Sequence, residues 1–161
     1  MSYKFTVKGN PVGKGRPRVT RGGTHTYTPQ KTVNYEKLVR FYYKGVNYGN
    51  KPIKIIIKAF YKTSKTTKLR KGEIIEKLKE ADLPIDGLKG ELWKRACEFD
   101  AIKCTVKPDA GNVSKSIKDA LNGVAYDDDS QIVDDHIKKF RSVDPRAEIE
   151  ISEVQREDNI E

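Results

Sequence analysis

Apolar and polar residues alternate from Tyr3 to Val7, with Tyr3, Phe5 and Val7 set against Lys4 and Thr6, and this period of two predicts a strand. The pattern breaks over residues 11–29, where three prolines and four glycines exclude a helix and Gly22-Gly23 marks a turn. An extended or hairpin-like loop is expected there. Thr28 and Pro29 are a suitable N-cap and first residue for a helix in which Tyr35, Leu38, Val39, Tyr42 and Tyr43 recur at helical spacing up to Gly45. At that spacing the tyrosines belong to a core or an interface. Pro52–Tyr61, PIKIIIKAFY, is β-branched and partly alternating, the clearest strand of the chain. Two short helices, Glu73–Ala81 and Leu88–Cys97, and a strand, Phe99–Val106, come next. Residues 112–122 predict a further helix, because Val113, Ile117, Ala120, Leu121 and Val124 fall on one stripe. Two strands, Ile132–Phe140 and Ala147–Val154, are joined through Asp144-Pro145 before a frayed tail.

These elements predict one α/β domain of the α+β kind, a mixed β-sheet packed with helices over residues 1–161. Periodicity does not give the strand order. No stretch approaches the roughly 20 apolar residues of a membrane span, and MSYKFTVKG lacks a secretory apolar region. The two cysteines make no disulfide framework, so a cytoplasmic protein is expected. Cys97, Cys104, His25 and His136 are too scattered for a zinc pattern, which leaves the thiols structural. GKGRPR does not follow the phosphate-loop spacing of nucleotide-binding proteins.

Charge changes the picture. Residues 1–71 hold 18 lysines and arginines against one acid, Glu36, a balance of +17. The rest holds 14 basic and 22 acidic residues, a balance of −8. Such segregation points to a polyanion held by the first half. Lys14, Arg16, Arg18 and Arg21, displayed on the Gly/Pro-rich loop, are the candidate phosphate contacts.

The acidic half concentrates its chemistry at the 112–122 helix. Opposite the apolar stripe lie Asn112, Lys115, Asp119 and Asn122. Asp109 stands at the entrance, where it also suits an N-cap, and Asp127, Asp128 and Asp129 follow the exit. Counting Asp134, six carboxylates surround one short helix. Like charges at close range are unfavourable unless a cation neutralises them. Mg²⁺, which takes oxygen ligands and usually keeps waters and substrate phosphate, is the expected ion, with Mn²⁺ as an alternative.

Two separated segments resemble the RusA-type Holliday junction resolvases, metal-dependent endodeoxyribonucleases often carried by phages and prophages. The first comprises Gly9 to Arg18 and Tyr27 to Thr32, GNPVGKGRPR with YTP-x-KT. The second is Pro108-Asp109-Ala110-Gly111-Asn112, Lys115, Asp119-Ala120-Leu121-Asn122-Gly123 and Asp128-Asp129-Ser130-Gln131, similar to the family's PD-x-DN-x-x-K, DALNG and DD-x-Q. Residues 63–98 are not covered and look like an insertion. The resemblance implies a RusA-like fold and a homodimer acting on branched DNA. It also implies metal-binding acids at Asp109, position 111 and Asp129, with Lys115 as an essential cation. Products would carry 5′-phosphates and 3′-hydroxyls.

At one position the chain departs. Where the family has its second aspartate, this chain has Gly111, which offers no side-chain ligand. Three readings stay open: Asp119, Asp127 or Asp128 substitutes; waters complete a smaller ligand set; or the protein binds junctions without cutting them. The expected function is Mg²⁺-dependent resolution of four-way junctions by paired symmetric nicks in DNA recombination and repair. Its catalytic residues would be Asp109, Lys115 and Asp129, with Asp128 and Asp119 as further candidate ligands. The rival is a non-catalytic junction- or DNA-binding protein.

Overall fold

The sheet is built around the isoleucine-rich strand. In the computed structural model, which describes residues 1–62, 105, 107–142 and 144–155, the elements are β1 (Ser2–Lys8), β2 (Arg18–Val19), β3 (Thr26–Tyr27), α1 (Gln30–Tyr42), β4 (Ile53–Lys62), α2 (Ala110–Leu121), a 3-10 turn (Asp129–Gln131), β5 (Ile132–Ser142) and β6 (Arg146–Glu153). The helices expected at Glu73–Ala81 and Leu88–Cys97, most of the Phe99–Val106 strand, Cys97, Cys104, the 63–98 insertion and most of the tail lie outside the described residues.

The main sheet has the order β1-β6-β4-β5. β6 runs antiparallel to both neighbours, aligning Phe5 with Ile149 and Ile57 with Ile149, whereas β4 and β5 are parallel, with Ile57 beside Ile137. The sheet is therefore mixed, and the fold is a single-domain α+β arrangement. Side chains alternate across a strand. One face of β4 thus presents Ile53, Ile55, Ile57 and Ala59, all fully buried, to a core shared with Val39 of α1 and Val113, Ile117 and Leu121 of α2. Each such large aliphatic side chain contributes about 1.5–3 kcal/mol of burial. The other face carries Lys54, Ile56 and Lys58, and closes at one end where Phe60 stacks on Phe140 and Arg146 lies 4.0 Å over the Phe60 ring.

Helix boundaries correct the sequence expectations by one to three residues. α1 starts after Pro29, which is the N-cap, so Thr28 is not the cap and Pro29 is not the first helical residue. Pro29 keeps an extended ψ of 139°, and its carbonyl accepts from the amides of Thr32 and Val33. The helix ends at Tyr42 rather than at Gly45, since Tyr43 is already extended. Tyr35 and Tyr43 are buried, as core tyrosines. Tyr43 packs edge-on against Tyr3 and Phe5, and burial, aided by Tyr48 and Tyr3, pushes its phenol up to about 12.

α2 begins at Ala110, two residues earlier than the apolar stripe required. Asp109 caps it by accepting from the Asn112 amide at 2.8 Å, which satisfies one of the free donors of the first turn.

Candidate functional site

The N-terminal loop over residues 12–15 and the start of α2 are fastened together at their polar atoms. The amide of Lys14 donates to Asn112 O at 2.9 Å, and Ser116 Oγ donates to Val12 O at 2.6 Å. Thr32 Oγ1, on α1, accepts from the Gly15 amide at 3.0 Å. Glycine is required for this approach: a Cβ on Gly13 would stand 2.6 Å from Pro108 Cβ. Between this loop and the two helices lies an open cleft of about 460 Å³. Arg16, Arg18 and Lys31 line it, together with Pro108 and Asn112, the residues on either side of the Asp109 cap.

The expected phosphate cations separate into two groups. Arg16, Arg18 and Arg21 are exposed and form no ion pair among the described residues. Lys14 is held inside: its ammonium lies 2.6 Å from Glu36 Oε1 and 2.9 Å from Asp119 Oδ2. Burial alone would lower its pKa, but the hydrogen bonds to Glu36 and Asp119 outweigh that and hold it above the ordinary lysine value. Asp119, a candidate ligand, is thus already neutralised by Lys14. Nothing in local pattern marks the triad, because Glu36 has the look of an ordinary helix-surface acid.

The aspartates divide in the same way. Asp128 caps the 3-10 turn, accepting from the Ser130 amide and hydroxyl, and the Ser130 hydroxyl chiefly holds its carboxyl below the usual range. Gln131 completes that capping box through Asp128 N, and its amide nitrogen donates to Gly49 O at 2.7 Å and Lys51 O at 2.8 Å. The Asp-Asp-Ser-Gln motif therefore staples its turn to the start of β4. Asp129, between cap and staple, has a carboxylate with no hydrogen bond or ion pair among the described residues. Asp127 is exposed on the approach, its amide donating to Gly49 O. Lys115 is exposed and has no ion pair among the described residues. Asp109 has both carboxylate oxygens oriented by Asn112, through its amide nitrogen Nδ2 at 3.1 Å as well as its backbone.

Asp109 stands at the N-terminal end of α2. Asp129 follows the loop from its other end and lies near Tyr126, whose hydroxyl donates to Lys118 O. Burial raises the Tyr126 phenol, and the charges of Asp129, Asp119 and Asp135 raise it further. Among the described residues no three acids, histidines or cysteines gather closely enough to hold a metal ion as a group. Asp134, the sixth acid, lies across the sheet, paired with His136 at 2.6 Å and Lys54 at 3.3 Å. The sequence reading missed Asp135, which faces the helix, accepts from Ser114 Oγ and pairs with Lys118 at 2.6 Å. The Gly111 position is open: a Cβ there would meet only Asp109 Oδ1, at an ordinary 3.6 Å.

The small α+β domain thus sets one oriented carboxylate, Asp109, beside a cationic cleft. The model of the family described as endodeoxyribonuclease RusA matches residues 8–152, and the chain belongs to that family. It is 33% identical over 156 residues to the uncharacterized protein YqaN of Bacillus subtilis (strain 168), a match that spans 94% of this chain and 96% of that protein. Among the described residues, no helix is long and apolar enough to cross a membrane.

Proposed function

We propose that this endodeoxyribonuclease-family protein is a Mg²⁺-dependent nuclease that resolves four-way DNA junctions by paired nicks. The observation that carries the reading is the cleft, which sets Arg16 and Arg18 beside the residues flanking Asp109. The donor type suits a hard cation: Asp109 and Asp129 would supply carboxylate oxygens, that of Asp129 has no partner among the described residues, and Mg²⁺ commonly takes only one or two carboxylates with waters and phosphate. When bound, the ion supplies Lewis-acid stabilisation of charge on the phosphoryl oxygens.

The chain's own residues do the rest. Asn112 holds the Asp109 carboxylate in one orientation. Lys115, with no carboxylate partner among the described residues, brings positive charge to the transition state. Arg16, Arg18 and Arg21 hold phosphates and make binding salt-dependent, while Lys14 secures the loop that presents them. A homodimer would place two such sites about a two-fold axis, as paired nicks require. It would also let acids of a second copy approach Asp109, a third carboxylate that one protomer does not gather among its described residues.

Incubation of a synthetic four-way junction with the protein tests this. Paired nicks are expected with Mg²⁺ and none in its absence; tight binding with no cutting at any Mg²⁺ concentration would establish the non-catalytic alternative. Gly111→Asp is expected to raise Mg²⁺ affinity by about tenfold. The added carboxylate would adjoin Asp109, in a first turn that now contains no acid and whose dipole favours one. Mg²⁺ titration of cleavage by both proteins reads the shift, and unchanged affinity would exclude position 111 from the ligand set.

A further inference from the structure

The basic loop is a built two-stranded ribbon. Arg18 pairs with Tyr27 and Val19 with Thr26, and the ladder continues through the Thr20 amide to His25 O at 2.9 Å. A turn closes it, with the Gly23 amide donating to Thr20 O at 3.0 Å and Gly22 at φ +104°, a conformation that favours glycine. Arg21 is thereby set at the tip. The root is fixed to the body through Gly15 and Lys14, whereas every residue from Arg21 to Tyr27 is exposed and the ribbon adds no residue to the core.

Such a ribbon costs ordering entropy and recovers little of it by burial. It also shows water two large apolar side chains, Tyr27 at 48% and Val19 at 58% exposure. Residues directly opposite in an antiparallel pair share a face, so Arg18 and Tyr27 leave the ribbon on the same side. A planar aromatic beside a guanidinium, in a region with no acid before Glu36, matches a nucleic-acid base with its phosphate.

We infer that the ribbon is a base-contacting probe: Tyr27 stacks on a DNA base exposed at the branch point while Arg18 and Arg21 hold the flanking phosphates. The inference rests on the proposed DNA substrate and adds the element that senses an unstacked base. An intact duplex offers the ring no free base face, whereas strand exchange at a junction does.

The test is equilibrium binding without Mg²⁺, which separates recognition from cleavage. Tyr27→Ala is expected to weaken binding to a four-way junction by about tenfold and to an intact duplex by less than about twofold. Tyr27→Phe, which keeps the ring, stays within about twofold of wild type on both. Tyr27 is exposed, so both variants are expected to melt as wild type does. Equal losses on junction and duplex would replace base stacking with groove contact and overturn the inference. So would an unchanged Tyr27→Ala, or a Tyr27→Phe as weak as the alanine. If wild type shows no preference for the junction, the junction reading fails by itself. The probe is then judged by the same two variants on single-stranded DNA, where every base is exposed.

Discussion

Asp109→Asn is expected to lower DNA cleavage by about a thousandfold and to leave folding and DNA binding in place. The side chain serves two purposes, which this substitution separates. As the α2 cap it needs only an oxygen that accepts from the Asn112 amide, and asparagine caps as well as aspartate. As a metal ligand it needs the negative charge, which asparagine lacks. Asp109→Ala removes both and is expected to cost a further ~1 kcal/mol of stability. Asp129→Asn should match Asp109→Asn in rate with no stability change, because its carboxylate has no partner among the described residues to lose. Single-turnover cleavage together with urea denaturation checks the set. Cleavage by either asparagine variant at the wild-type rate would remove that aspartate from the site.

Lys14→Met is expected to destabilise the protein by about 2 kcal/mol, below the roughly 3–5 kcal/mol that breaking a fully buried ion pair costs because the triad keeps some solvent contact. Glu36 and Asp119 would lose their shared cation, leaving Glu36 only Arg40 at 4.0 Å among the described residues, and the Arg16–Arg18 segment would lose an anchor. Adding Asp119→Asn should restore part of the loss by removing one of the two charges. Since its neighbours raise the Lys14 pKa, the triad's contribution is complete below the ordinary lysine range and is lost only as pH rises through the raised value. A lysine that served phosphate would behave otherwise. Stability would stay constant, and the slope of log affinity against log salt would fall in magnitude by about one. Urea melts and a salt titration distinguish the two outcomes.

Much of the fold was legible from local pattern. The alternation of Tyr3, Phe5 and Val7, the isoleucines of β4 and the Val113–Leu121 stripe each declare a buried face within a few residues. The candidate site was legible in part. Asp109 at the mouth of α2, Lys115 on its open side and Asp129 beyond its end are where the spacing placed them. The fates of Lys14, Asp119 and Asp128 were not legible, because each is fixed by a partner that its residue type does not name. A lysine in a basic loop has the same local signature whether it meets a phosphate or a pair of carboxylates. An aspartate in a triplet likewise reads alike as a ligand and as the cap of a 3-10 turn.

Among the described residues, the sequence by itself determined which of the main segments are strand and helix and which face of each is apolar, and along the whole chain it set the cations and the acids in different halves. Those properties depend on neighbours a few residues away, through backbone sterics and side-chain period. Only the tertiary structure decided the order β1-β6-β4-β5, the parallel pairing of β4 with β5, the pairing of Lys14 with Glu36 and Asp119 and the projection of Tyr27 on an exposed ribbon. These choices are made by contacts between residues distant in sequence, such as Ser116 with Val12 and Arg40 with Ala120 O. Their energies depend on what the folded chain brings within a few ångströms, which no local pattern carries.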